Sequence, residues 1–245
     1  MRKHEFLSIF SVKKPVLGML HLKGDTPEQV ILTAEREAHA MVDNGVDAVI
    51  VENYFGTAES AERVLRHFQK EQEAFLYGVN ILDNDEENFR MARQYGASFL
   101  QLDSVAGHLT PEEDDAFGTF LENCRSGFEG SVIGGVRFKY QPYKSGRSLE
   151  EDIRIGMTRC DAIAVTGEGT GMRTPMEKIA EFRRIVGRDF PLVAAAGVSP
   201  ETCMLQLNYV DAVIIGSYFK DTYKDMGDVD PLHVRTLMDS VKRCR

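Results

Sequence analysis

Short apolar runs, most of them rich in β-branched residues, alternate along the whole chain with longer stretches whose apolar residues recur every three or four positions. The first pattern predicts strands buried on both faces. The second predicts amphipathic helices that cover them. Strands are expected over residues 14–22, 46–52, 74–80, 97–103, 131–139, 161–166, 190–195 and 210–216. Helices are expected over 27–44, 57–72, 84–95, 111–126, 148–158, 175–186, from Pro200 onward and over 230–244, with a short helical turn at 217–220. Local signals agree. Thr26 stands before Pro27 as an N-cap, Thr110 with Glu113 and Ser148 with Glu151 make capping boxes, and Asn44-Gly45 and Gly96 read as helix ends.

Each strand–helix unit averages roughly 30 residues, the length of one parallel crossover. Parallel strands joined by helices give either a doubly wound sheet or a closed barrel. Eight even repeats in 245 residues favour an α/β fold of the (β/α)8 TIM-barrel type, a single domain over residues 1–245. No linker or low-complexity segment marks a second domain. Residues 141–147 read as a long strand-to-helix loop.

Composition narrows the partners. A net charge of −9 argues against a nucleic-acid binder and against adhesion to an anionic membrane. No apolar run approaches the roughly 18 residues of a membrane span, and residues 1–5 lead into no apolar leader core. The four cysteines, Cys124, Cys160, Cys203 and Cys244, have no disulfide or zinc spacing and read as reduced thiols. A cytoplasmic protein is expected.

Barrel enzymes build their sites at the C-terminal ends of the strands. Here those ends carry His21, Glu52 and Asn53, Asn80 followed by Asp85, Asp103, Lys139, and Thr166. Each has a structural alternative. Asn80 or Asp103 could cap a turn, and Asp85 could answer a helix dipole. Their recurrence on one rim favours ligand binding by His21, Asn53, Asn80 and Asp85. After Thr166 comes a loop holding Gly167, Gly169, Thr170 and Gly171, whose spacing is neither a dinucleotide fingerprint nor a Walker loop. It reads as a ligand loop, with a flexible turn as the alternative.

Two late loops suggest a phosphate site. Gly197 and Val198 follow the seventh strand, and Gly216, Ser217 and Lys220 follow the eighth, where barrels of this kind often hold phosphate. Glycines serving only as tight turns are the alternative. Lys139 is the leading candidate for chemistry, as electrostatic stabiliser or proton donor ahead of a Schiff-base nucleophile. Glu52 and Asp103 are the candidate acid/base carboxylates. With Asp85 they could instead hold Mg²⁺; the metal requirement stays open.

Residues 18–22 (GMLHL), 45–53 (GVDAVIVEN), 78–85 (GVNILDND), 165–171 (VTGEGTG) and 216–220 (GSYFK) together resemble the BtpA/SgcQ family over nearly the whole chain. The resemblance implies a barrel of the phosphate-binding type. The family is named for a photosystem I biogenesis factor, and another branch sits in sugar-utilisation operons. This chain departs from the family pattern at Gln101, Asp103, Tyr140 and the Tyr54-Phe55-Gly56 segment. An enzyme acting on a small phosphorylated sugar or nucleoside-type substrate is therefore expected: a lyase, an isomerase or a glycosidic-bond-cleaving enzyme. The alternative is a non-catalytic assembly factor that retains a ligand pocket. A homo-oligomer is expected, of unspecified order.

Overall fold

The eight apolar runs form strands β1 Val16–His21, β2 Ala48–Glu52, β3 Leu76–Asn80, β4 Phe99–Ala106, β5 Ser131–Val136, β6 Ala162–Val165, β7 Leu192–Ala194 and β8 Ala212–Ile215. The helices between and after them are α1 Pro27–Val42, α2 Ala58–Glu71, α3 Asp85–Tyr95, α4 Pro111–Arg125, α5 Leu149–Arg159, α6 Met176–Val186, α7 Pro200–Leu207 and α8 Pro231–Val241. This computed structural model describes residues 6–245; the leader reading at residues 1–5 lies outside them. The strands pair in parallel in chain order, and β8 returns to β1, closing the (β/α)8 barrel.

Closure converts the two-residue period of a strand into an inside and an outside. Leu17, Met19, Ala48, Ile50, Phe99, Ile133, Ala164, Val193 and Ile214 fill the interior in one cluster. Their neighbours, among them Val16, Leu20, Val49, Val51, Leu100 and Leu102, join a second cluster shared with the helices. The base of the barrel is stoppered by a 3₁₀ turn, Phe6–Ile9, which the hydropathy pattern did not reveal. Phe6 packs edge-on against Phe10 and Phe99, with ring centroids 5.5 and 6.4 Å away.

Caps form where they were read. Thr26 Oγ1 accepts the Gln29 amide at 3.2 Å, Thr110 N donates to Glu113 Oε2 at 3.0 Å, and Gly96 ends α3 at φ 69°. Two strand ends differ from expectation. β5 stops at Val136, because Arg137 and Tyr140 take left-handed backbone angles (φ 47° and 63°) that no strand continues. Lys139 therefore rides a turn rather than a strand end. β4 runs on to Ala106 through a register shift after Leu102, a bulge that re-aims the residues beyond it.

Lys220 also corrects an expectation. Its side chain is fully buried outside the barrel mouth, with Nζ 2.6 Å from Glu37 Oε2 of α1. Its ammonium is committed to Glu37 and does not line the mouth cavity. Glu37 Oε1 also accepts the Val229 amide at 3.3 Å, and Lys220 bridges Val229 in an antiparallel pair. The ion pair thus clamps a hairpin over residues 220–229 whose tip reaches back to the mouth. Removing one partner of a buried pair strands the other charge, at a cost of about 3–5 kcal/mol. Glu37→Ala is expected to lose stability on that scale in urea denaturation; a loss below about 1 kcal/mol would show that the clamp does not hold the hairpin.

Candidate active site

The last inward positions of β1, β2 and β3 are His21, Glu52 and Asn80, and the strand register sets them side by side. Inward Gln101 and Asp103 of β4 continue the row. Asn80 Nδ2 donates to Glu52 Oε1 at 2.9 Å and to Asp103 Oδ1 at 3.2 Å. Gln101 Nε2 donates to the same Asp103 oxygen at 3.0 Å. On the other side, Glu52 Oε2 lies 3.4 Å from His21 Nε2. Tyr54 lies tilted against the His21 ring, with centroids 4.8 Å apart. Gly216 makes room for that ring: a Cβ there would stand 2.9 Å from His21 Cε1.

Electrostatics follows from burial. Desolvation, with the neighbouring Asp103 charge, pushes the Glu52 carboxyl up to about 8, against the opposing pull of Lys139 and the Asn80 amide. Desolvation, with the Lys220 charge, lowers His21 to about 4, against Asp225. At neutral pH both are uncharged, so Glu52 carries the proton and its hydroxyl can donate to His21 Nε2. Burial also raises Asp103, offset by the Gln101 and Asn80 amides. Asp85, at the start of α3, rises to about 6 through burial and the charges of Asp103 and Asp83.

The row floors a cavity of about 580 Å³ that opens at the mouth. Lys139 lines it from the β5–α5 turn. Its Nζ donates to Thr170 Oγ1 at 2.9 Å, and its amide donates to Thr166 Oγ1 at 2.9 Å. Thr170 N in turn donates to Tyr140 Oη at 2.9 Å. Lys139 thus ties the glycine loop to the turn after β5, and no ion pair joins it to Glu52 or Asp103 among the described residues. Opposite lie Gly197, Val198, Ser199, Gly216 and Ser217. Gly197 has φ 63°, and a Cβ there would meet the Arg173 backbone at 2.3 Å, so glycine lets the loops after β6 and β7 touch.

Not every residue marked in the sequence lines this cavity. Glu52, Asp103, Lys139, His21, Thr170, Gly171, Gly197, Val198, Gly216 and Ser217 do. Asn80 and Asp85 line a smaller adjoining recess of about 170 Å³, which shares Asp103 with the main cavity. Asn53 Oδ1 instead accepts the Leu82 amide at 2.8 Å, fixing the turn after β3. Thr166 is a latch for Lys139, and Gly167 packs on Met172 and Arg173 backbone. Gly169 lies against Met172 and Tyr140.

Two groups at the mouth had no signal in the chain's periodicity. Arg173, beyond the glycine loop, lines the cavity beside Gly197 with no ion-pair partner among the described residues. Asp225, at the hairpin tip, accepts from Ser217 Oγ at 2.5 Å and faces His21 Nδ1 at 3.8 Å. As a Mg²⁺ cage the carboxylates fit poorly. Glu52, Asp85 and Asp103 do not gather oxygens within 4.8 Å of one another, and Asp103 Oδ1 is taken by two amides.

A closed eight-stranded parallel barrel with a polar, half-enclosed mouth defines the class of protein. The sequence pattern of the BtpA family matches residues 12–243, and the chain belongs to that family. It is 26% identical to an uncharacterised protein of Methanocaldococcus jannaschii, over 89% of this chain and 91% of that one. It is 22% identical to the photosystem I biogenesis protein BtpA of Synechocystis, over 97% of this chain and 91% of that one. Among solved structures, 3-hexulose-6-phosphate synthase of Salmonella typhimurium shares the barrel, with TM-score 0.64 and 14% identity over 94% of this chain and all of that one (100%). No helix among the described residues is long and apolar enough to cross a membrane.

The carboxyl and imidazole shifts give opposite pH effects on stability. Glu52 binds a proton more tightly folded than unfolded, so its contribution falls as pH rises from its ordinary value of 4.5 through about 8. His21 binds a proton less tightly folded, so its contribution falls as pH drops from 6.5 through about 4. Glu52→Gln keeps the shape and removes the ionisation. Its stability relative to the parent is expected to climb steadily from pH 5 to pH 8 in thermal melts. A pH-independent difference would contradict a protonated Glu52.

Proposed function

We propose that this protein is an enzyme acting on a small phosphorylated sugar or nucleoside-type substrate, by lyase, isomerase or glycosidic-bond chemistry. The observation that carries the reading is the pairing of Glu52, held protonated by burial, with neutral His21 at the floor of the cavity. An uncharged carboxylic acid at neutral pH can protonate a leaving oxygen or polarise a carbonyl. Asp103, fixed by two amides beside it, is the complementary carboxylate and serves as base. Two carboxyls in different environments divide acid and base roles between them.

The phosphate is bound at the far wall by Gly197, Val198, Gly216 and Ser217. Arg173 supplies the cation there, with a planar donor fork suited to phosphate oxygens. Lys139 stabilises negative charge that develops between the wall and the floor. The barrel likeness to 3-hexulose-6-phosphate synthase supports a phosphorylated substrate. His21, Thr170 and Gly171 complete the ligand surface, and Asn80 and Asp85 border it through the adjoining recess.

A thermal-shift screen with inorganic phosphate, sugar phosphates and nucleotides tests the reading. A ligand at about 100 times its Kd adds about 2.7 kcal/mol, a rise of a few degrees. A selective rise is expected with one phosphorylated compound, and Arg173→Ala should weaken its binding about tenfold or more. In the assay that compound identifies, Lys139→Ala should abolish turnover while the melting point without ligand stays put. No shift with any phosphorylated compound would overturn the phosphate site and favour the alternative of a non-catalytic factor, in line with the biogenesis role named for the Synechocystis relative.

A further inference from the structure

A second cluster of ionisable side chains lies on the outer face of the barrel, where α1 packs on α2. Glu35 and His39 stand four residues apart on α1, so both face α2. Glu73 reaches the same point from beyond α2. Gln72 ends that helix in a left-handed turn at φ 54°, and Glu73 N donates to Phe68 O at 3.1 Å, turning the chain back toward α1. One ligand atom from each of Glu35, His39 and Glu73 lies within 4.8 Å of the others. His39 Nε2 is 3.4 Å from Glu73 Oε2. His67 of α2 also sets its Nε2 3.4 Å from Glu35 Oε2.

We infer that Glu35, His39 and Glu73 bind a first-row transition-metal ion of the zinc class, which staples α1 to α2 outside the catalytic cavity. Nitrogen and oxygen ligands around a tetrahedral zinc ion stand roughly 3.4 Å from one another, given bonds of about 2.0–2.2 Å. The His39–Glu73 separation already has that value. The charge balance points the same way. Among the described residues neither Glu35 nor Glu73 pairs with a lysine or arginine; each faces only a histidine, which is charged only when protonated. Two carboxylates and a neutral imidazole neutralise a divalent ion, and imidazole with carboxylate selects zinc-like metals over calcium. The fourth position is open to water. His67 Nε2 stands 3.4 Å from Glu35 Oε2 without a hydrogen bond to it, and a metal ion that fixed this carboxylate would make His67 its outer partner. Phe75 stacks edge-on against the His39 ring at 5.7 Å and limits its swing.

The test uses the full chain stripped with a chelator and titrated with Zn²⁺ by calorimetry and with Co²⁺ by visible absorption. The expected result is one equivalent bound, with the intense visible bands of four-coordinate cobalt. His39→Ala and Glu73→Gln, at partly exposed positions that leave folding intact by circular dichroism, should each bind zinc at least about tenfold more weakly. His67→Ala should weaken it about 10–100-fold without removing the cobalt bands. Zinc should also raise the melting point of the parent and not that of His39→Ala. Equal zinc binding by parent and both ligand variants, or no stoichiometric binding by the parent, would overturn the site and leave adventitious surface binding only.

Discussion

Side chains alternate along a strand, and closing eight parallel strands turns that alternation into a fixed interior. Everything inside the barrel depends on this constraint. Apolar residues fill the lower layers, from the Phe6 stopper through Met19, Ile50 and Ile214. The next inward positions have no layer above them and must face the mouth. In β1 to β4 those positions are His21, Glu52, Asn80, Gln101 and Asp103, all at least partly buried. Glu52 and His21 are buried and Lys139 forms no direct ion pair with them, so their least costly state is the uncharged one.

The mouth is asymmetric. Its floor, from β1 to β4, is a hydrogen-bonded row of amides and carboxyls. Its wall, from the loops after β6, β7 and β8, is built of glycines, Ser217 and Arg173, which has no ion-pair partner among the described residues. The Lys220–Glu37 pair, although it does not line the cavity, belongs to this design. It clamps the hairpin whose tip carries Asp225 to Ser217 and His21. A buried pair of this kind contributes little net stability, but it defines where the hairpin sits.

Much of this was legible in the chain. Short apolar runs marked the eight strands and the three-to-four-residue period the eight α-helices, and capping residues marked helix starts at Thr26 and Ser148. Polar residues ending apolar strands pointed to His21, Glu52 and Asp103, because the C-terminal ends of barrel strands share one rim. Groups on loops were less legible. Loops have no period, so nothing announced Arg173 or Asp225, and nothing told Lys139 on its left-handed turn from a strand end. Lys220 sat at the right place in the chain with its side chain turned outward to Glu37. Gly167 and Gly169 were read as ligand contacts, and they do not line the cavity; a Cβ at either would meet the chain's own atoms.

The central claim is that burial keeps Glu52 protonated at neutral pH beside a neutral His21. Carbon-13 NMR of the glutamate side-chain carboxyls, titrated with pH and assigned by comparison with Glu52→Gln, reads that state directly. The account predicts one carboxyl, absent from the variant, that titrates near 8. A Glu52 signal that titrates in the ordinary range near 4.5 would contradict it and remove the proposed general acid from the floor of the site.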